Sequence, residues 1–272
     1  MAKNYLDYVL PNENSALKEY LKQPATAFLR YIVASKNAAN QCLRNFPKKQ
    51  NGEYDKASIA SIRQINAGLL ASIMGNFETF QRYLFANMFE YSIYLNKFDL
   101  PAFIKRIEKT TSLSSQVKLE RIFAYRDKYV NVGIILADGL PNWHSPSKVN
   151  EYFAAFALAQ NGKSTQFYSN ENIRDLEILW QLRHSIVHTA GTISIPDSQK
   201  LAALSEYGDK MIMLDSKFIL ELSRRFHPLV YSAVKRLENV YMCNLKTDLL
   251  STIQQQISNT FEVKSSCQTW LK

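Results

Sequence analysis

The stretch Ile173–Gly191, IRDLEILWQLRHSIVHTAG, carries a clear helical pattern and sets the fold class expected for the chain. Wound at about 100° per residue, it places seven apolar side chains within about half of the helix circumference. These side chains are Ile173, Leu176, Leu179, Trp180, Leu182, Ile186 and Val187. Gly191 is suited to follow a helix end, because glycine readily takes the left-handed conformation there. We therefore predict a helix over residues 170–190 that buries one face.

Arg183 falls near the middle of this apolar arc, while His184 and His188 lie together at its edge with i and i+4 spacing. A charge on a buried helix face is costly unless it is paired. Arg183 therefore has either an internal carboxylate partner or a groove in which a ligand phosphate reaches it. The structural alternative is a core arginine paired with an acid, beside a histidine near a helix end.

Helical periodicity extends over most of the chain, and the low content of glycine and proline, 8 of each, also favours helices. The remaining helices are predicted at 14–23, 26–46, 65–97, 102–110, 116–130, 145–159, 215–240 and 245–260. The short runs 192–195 and 210–214 either pair as a small strand-like hairpin or extend along the surface. The predicted fold class is all-α, a helical bundle.

At 272 residues the chain is long enough for one large core with appendages. We divide it into an N-terminal helical arm at 1–60, a main helical domain at 61–242 and a C-terminal helical tail at 243–272. The loop FPKKQNG at 46–52 ends the helical part of the arm. The arm is expected to pack on the main domain or to mediate assembly.

The composition indicates a folded, basic protein, with 46% hydrophobic residues and a formal net charge of +9. A positive charge of this size favours polyanionic partners such as RNA. Cys42, Cys243 and Cys267 form no metal-binding or disulfide pattern, which indicates a reducing cytoplasm. No run of about 18 apolar residues and no apolar N-terminal segment of signal-peptide length is present, so no membrane association is expected.

The side chains of the 183–188 segment have the chemistry needed to cleave RNA through its own 2′-hydroxyl. An arginine holds a phosphate through a planar fork of donors, and a histidine moves protons near neutral pH without a metal. His188 lies near the helix C-terminus, where the macrodipole favours a positive side chain. The alternative is that His184 and His188 bind a metal as a pair. No Glu or Cys is placed in sequence to complete such a site. We therefore expect neither a metal nor another cofactor.

Arg183, His184 and His188 resemble the signature of the HEPN superfamily (higher eukaryotes and prokaryotes nucleotide-binding), in which an Arg and a polar residue precede a short spacer and a His. Phe77–Leu84 resembles the first long helix of the prokaryotic RiboL-PSP/MAE-like group, and Tyr207–Leu214 resembles the segment that follows the motif there. The resemblance covers about residues 65–240. It implies an HEPN-like helical bundle in the main domain.

The function that the motif chemistry and the resemblance imply is a metal-independent endoribonuclease. The resemblance alone further implies that it acts as a toxin or anti-phage defence effector. The RNA 2′-hydroxyl attacks the adjacent phosphate and leaves a 2′,3′-cyclic phosphate and a 5′-hydroxyl. In this hypothesis Arg183 binds the scissile phosphate, His188 moves protons and His184 assists. The alternative is a non-catalytic HEPN-type module that binds nucleic acid or nucleotide within a larger complex.

One geometric problem accompanies this hypothesis, because Arg183 and His188 point about 140° apart in a regular helix. Either the helix unwinds before Gly191, or a second subunit supplies the matching pair. Relatives in the superfamily place two motif helices face to face. We therefore predict a twofold homodimer with a composite site, together with an antitoxin or sensor protein as a possible regulatory partner.

Basic residues N-terminal to the motif helix are candidates for holding RNA phosphates. We predict that Lys105, Arg106, Lys109 and Arg121 bind substrate, with a solvated helical face as the alternative. Tyr91, Tyr94 and Tyr125 could stack on bases, although tyrosines at helical spacing more often pack in a core.

Overall fold

The computed structural model describes residues 16–111, 131–160, 163–164 and 166–264. The described residues form an all-α fold, which confirms the predicted class. Its helices are α1 (Leu17–Lys22), α2 (Pro24–Asn45), α3 (Lys56–Glu90), α4 (Leu100–Thr111), α5 (Val132–Gly139), α6 (Pro146–Ala154), α7 (Asn170–His188), α8 (Ile195–Ser198), α9 (Phe218–Cys243) and α10 (Ser251–Thr260). Two short 3-10 helices are also described, Tyr91–Tyr94 directly after α3 and Ala202–Tyr207 after α8.

Four two-residue strands form two small antiparallel sheets. Strand β1 (Ala159–Gln160) pairs with β2 (Lys163–Ser164), and β3 (Thr192–Ile193) pairs with β4 (Lys210–Met211). The second pairing confirms the strand-like hairpin after the motif helix. Its connection is longer than a simple turn, since α8 and the second 3-10 helix lie between the two strands.

Helix α3 is the longest described element and contacts most of the others. It begins nine residues before the predicted start at 65, because the Asp55 carboxylate caps its first turn by accepting the Ser58 N–H at 2.7 Å. The apolar residues of the first turns, Ala57, Ile59, Ala60 and Ile62, are mostly exposed, so they form no buried stripe like the one that begins at Ile65. At the other end α3 stops at Glu90, and the chain continues as a 3-10 helix.

An aromatic cluster joins α2, α3 and α9 in the core. The Phe28 ring lies 5.2 Å from Phe77, 5.7 Å from Phe80 and 5.4 Å from Phe226, and all four side chains are buried. Aromatic pairs at these distances add to the large apolar area that each ring buries. Helix α2, which belongs to the predicted N-terminal arm, therefore packs into the core that it shares with the main domain.

Helix α5 crosses α3 at very short range. A Cβ atom added to Gly133 would lie 2.2 Å from the backbone oxygen of Ala86. The Gly133 N–H also donates to the Glu90 carboxylate at 2.7 Å. Only glycine permits two backbones to approach this closely, so the crossing depends on that residue.

Other predicted boundaries need correction. The predicted helix 145–159 ends at Ala154, before the small β1–β2 sheet, and the predicted tail helix 245–260 begins only at Ser251. The break predicted near Pro24 is present, with Pro24 as the first residue of α2, where its missing N–H costs nothing. The predicted helix 116–130 lies outside the described residues.

Candidate functional site

Helix α7, which carries the three candidate catalytic residues, has a defined start and a defined end. The Ser169 hydroxyl caps its N-terminus by accepting the Asn172 N–H. At the other end, the backbone N–H groups of Thr189 and Gly191 both donate to the Ser185 carbonyl, at 3.0 and 2.9 Å. Gly191 has φ of 80°, the left-handed conformation expected after a helix end. The helix thus ends two residues before the predicted end at 190, and it stays helical through His188.

Because α7 does not unwind before His188, the unwinding that would bring Arg183 and His188 together is absent. The two side chains leave a regular helix about 140° apart. They therefore point to different sides of α7 within one protomer.

Arg183 is half-buried, and its Nε atom is inaccessible to solvent. This Nε is the only buried side-chain nitrogen or oxygen of the described residues that has no hydrogen-bond partner. The ion pairs among those residues do not include Arg183. The sequence predicts either an internal carboxylate partner for Arg183 or a groove that admits a ligand phosphate. The described part of the chain contains no carboxylate partner. The guanidinium therefore has donors left to bind an anion.

His184 and His188 form a side-by-side pair, as their spacing predicts. Their ring centroids are 4.8 Å apart with an interplanar angle of 46°. His188 is exposed, and the His184 side chain is 44% exposed. Both rings are thus accessible to a substrate.

Asp197 is a site residue that sequence reasoning missed. Its carboxylate Oδ2 lies 3.9 Å from Nε2 of His184, and its side chain is only 8% exposed. The carboxylate also contacts the Lys200 Nζ at 2.6 Å and accepts the Ser194 hydroxyl at 2.8 Å. The Lys200 contact, followed by the Ser194 hydrogen bond, lowers the pKa of Asp197 below its usual value. The Ser194-x-x-Asp197 spacing, typical of a helix start, was the available signal.

Exposed apolar side chains are concentrated just after the motif. Of the twelve large hydrophobic side chains that are exposed among the described residues, five lie between positions 187 and 213. They are Val187, Ile195, Tyr207, Met211 and Met213, with exposed fractions of 47% to 66%. We call these five residues the post-motif patch. The β3–β4 pairing and the packing of α8 against the 3-10 helix Ala202–Tyr207 bring this segment together, and β3 packs against α7.

Three of the four predicted phosphate-binding residues lie on α4, which packs against α6. Lys105 and Lys109 are exposed, whereas Arg106 donates from Nε to the Ala155 carbonyl at 2.7 Å and so ties α4 to the end of α6. Helix α6 also packs against α7, so α4 is joined to the motif helix through α6, as it is through α3. Arg121 lies outside the described residues.

The tyrosines proposed for base stacking are partly buried where they are described. The Tyr91 and Tyr94 rings lie 6.5 Å apart at the end of α3. Burial raises the pKa of Tyr91 above its usual value, as expected for a packed side chain. Tyr125 lies outside the described residues.

Two cavities lie apart from the motif. A groove of about 880 Å³ runs between the first half of α7 and α9, with Asp175, Leu179 and Phe226 among its lining residues. A cavity of about 620 Å³ lies where α1, α2 and α10 meet, lined by Lys22, Arg30 and others. Neither is lined by Arg183, His184 or His188.

Within the described ranges, no three His, Cys, Asp or Glu side chains come close enough together to hold a metal ion. Of the helices described, none has the length and apolar character needed to cross a membrane. Comparisons with known protein families, with curated proteins and with solved structures found no match.

Proposed function

We propose that this chain is a metal-independent endoribonuclease of the HEPN type. The observation that carries the proposal is the Arg183 guanidinium, whose buried Nε has no partner and which lies on the same helix as two accessible histidines. A buried donor without a partner is costly, and the half-buried guanidinium has no acceptor among the described residues, so we infer that its more accessible donors hold a substrate phosphate. The ordinary alternative, a core arginine paired with an acid, has no support among the described residues.

In the proposed reaction the RNA supplies the nucleophile, and the histidine side chains transfer the protons. The 2′-hydroxyl gives its proton to a neutral imidazole, here His188, as its oxygen bonds to phosphorus. The bond from phosphorus to the 5′-oxygen breaks, and that oxygen takes a proton from an imidazolium, which leaves a 2′,3′-cyclic phosphate and a 5′-hydroxyl. The guanidinium of Arg183 stabilises the charge that develops on the non-bridging oxygens. His184 assists through its contact with His188.

The composite site of a homodimer follows from the same geometry. One helix cannot aim Arg183 and His188 at a single phosphate, so the matching group has to come from a second copy. The post-motif patch supports this arrangement, because exposed apolar side chains that cluster beside a site are typical of an interface. We propose a twofold dimer in which the patch lies in or beside the interface.

The biological role we propose is that of a cytoplasmic toxin or antiviral defence effector, restrained by an antitoxin or sensor protein until it is triggered. This role rests on the HEPN resemblance alone, whereas the net charge of +9 suits an RNA substrate. Lys105 and Lys109, both exposed, are proposed to hold RNA phosphates, whereas the bond from Arg106 to Ala155 favours a structural role for that residue.

The proposal is tested by incubating the purified protein with tRNA and total RNA in excess EDTA. Wild-type protein is expected to cut RNA, but not DNA of the same sequence, and to leave 5′-hydroxyl ends that a polynucleotide kinase labels without prior phosphatase treatment. His188→Ala is expected to reduce the rate by roughly 100-fold or more, since general acid–base catalysis contributes that much. RNA binding without cleavage, equal in wild type and His188→Ala, would support the non-catalytic module instead.

The composite site has its own test, in which two inactive variants are mixed. If Arg183 of one protomer acts with His188 of the other, a reassociated equal mixture of Arg183→Ala and His188→Ala contains heterodimers with one complete site each. The mixture is then expected to recover about one quarter of wild-type activity. Adding Met211→Glu to both variants should weaken the dimer and remove the recovery. A wild-type protein that cleaves RNA as a strict monomer would refute the composite site.

A further inference from the structure

The loop between α5 and α6 carries an exposed histidine on a fixed backbone. Trp143 anchors this loop, because its buried ring donates from Nε1 to the Ala137 carbonyl at 2.9 Å and its own carbonyl accepts the Gln81 amide at 3.3 Å. Asn142 has φ of 59°, a left-handed conformation that asparagine adopts more readily than most residues. His144 follows the anchor directly, and its side chain is exposed. The position of this imidazole is therefore set by the loop.

His144 lies against the motif helix. Its ring centroid is 6.2 Å from that of Trp180, with an interplanar angle of 70°. In this edge-to-face arrangement one ring turns its edge to the other, so at least one face of the exposed His144 ring stays open. Trp180 precedes His184 by about one helical turn and His188 by about two turns. His144 therefore extends the row of accessible rings that His184 and His188 form along α7.

The same part of the chain also reaches the predicted phosphate-binding helix. Lys148, in the first turn of α6, donates from Nζ to the Thr110 carbonyl near the end of α4 at 3.1 Å. Helix α4 carries the exposed Lys105 and Lys109. His144 thus lies on the surface that joins α4 to α7, where an RNA strand held by both helices would pass.

We propose that His144 is a stacking residue that holds one base of a single-stranded RNA substrate near the bond that is cut. Histidine is among the side chains on which unpaired RNA bases stack. Stacked nucleotides lie about 3.4 Å apart, and Trp180 and His188 are about 12 Å apart along the helix, so this base lies within about four nucleotides of that bond.

This inference deepens the proposed function by naming the class of RNA that is bound. It rests on the proposed function for the position of the cut, whereas the stacking contact is measured on RNA that is not cleaved. In a duplex each base is covered by its neighbours, so only loops, bulges and ends offer a base to an exposed ring. The expected substrates are therefore single-stranded segments.

The test measures, by fluorescence anisotropy, the binding of a short single-stranded RNA with a 2′-O-methyl group on every sugar, which cannot be cleaved through its 2′-hydroxyl. A series of these RNAs lacks one base at a time. For the wild type, loss of one particular base is expected to weaken binding about 5- to 10-fold, the lower part of the range for a stacked base. His144→Ala is expected to weaken binding of the intact RNA by the same factor and to lose nothing more when that base is removed.

Two further variants separate stacking from a change in the fold. His144→Phe keeps an aromatic ring and should bind like the wild type. His144→Leu keeps an apolar cover on Trp180 without an aromatic face and should bind like His144→Ala. The matched control is His227→Ala, because His227 lies on α9, where its ring stacks on that of Tyr231. This control should leave binding unchanged.

The proposal is overturned if His144→Ala or His144→Leu binds like the wild type. It is equally overturned if the effects of His144→Ala and of base removal add at every position, or if the wild type binds none of these RNAs. Cleavage assays separate this inference from the ribonuclease. The stacking pattern in a protein that cuts no RNA would refute the enzyme alone. With an active enzyme, His144→Ala should raise KM about 5- to 10-fold at unchanged kcat, and an unchanged KM refutes the stacking site alone.

Discussion

Replacing Arg183 by methionine is expected to abolish RNA cleavage while leaving the folded state as stable as before, or more stable. Loss of a donor that stabilises transition-state charge costs roughly 100- to 1000-fold in rate. Methionine keeps much of the apolar stem of arginine and removes a buried Nε that has no partner. We expect a gain of up to about 1 kcal/mol in the free energy of unfolding, since an unsatisfied buried polar group is costly.

Two measurements check this expectation: the cleavage rate in EDTA, and the free energy of unfolding from denaturant titration. Arg174→Met is the matched control, because Arg174 is exposed on the same helix. It should change neither quantity appreciably. A large loss of stability in Arg183→Met would identify Arg183 as a structural core residue, and full activity in that variant would remove the phosphate-binding role.

Replacing Gly133 by alanine is expected to destabilise the folded state strongly. The new Cβ would lie 2.2 Å from the Ala86 oxygen and 2.8 Å from its carbonyl carbon, so the backbones of α5 and α3 would have to separate. Inserting atoms into a close-packed contact costs about 1–3 kcal/mol, and a clash with backbone places the cost near the upper end. We expect Gly133→Ala to lower the free energy of unfolding by about 3 kcal/mol.

The matched control for this change is Gly75→Ala on α3. A Cβ there would meet nothing within 4 Å, and the residue lies inside a helix. Alanine is the better helix former, so this variant should gain up to about 1 kcal/mol. Denaturation curves of the two variants should therefore shift in opposite directions. Equal stability of Gly133→Ala and wild type would show that α5 does not cross α3 as closely as described.

The elements that could be predicted from sequence are those governed by local rules. The end of α7 was placed within two residues, because Gly191 signals it directly. The pairing of His184 with His188 follows from their spacing. The start of α3 is not predicted because a capping aspartate determines it and the apolar side chains of its first turns are mostly exposed. The close crossing at Gly133 involves two backbone segments that are distant in sequence, so no local sequence pattern predicts it.

The site shows the same division between local and distant determinants. From the sequence, Arg183 is either paired with an acidic residue or open to a phosphate. Which of the two holds depends on how segments remote in sequence pack beside it. Asp197 was missed for a related reason. It reaches His184 only because the chain turns back through β3 and begins a new short helix, a path that residue types alone do not define.

The end of α7 and the β3–β4 hairpin are joined by a network of hydrogen bonds. The Ser185 carbonyl receives the Thr189 and Gly191 N–H groups, the Thr189 hydroxyl also donates to the Thr192 carbonyl, and the Ile212 N–H donates to the Gly191 carbonyl. These bonds join the hairpin to the last turn of α7, so displacement of the hairpin is expected to disturb the backbone that carries His188.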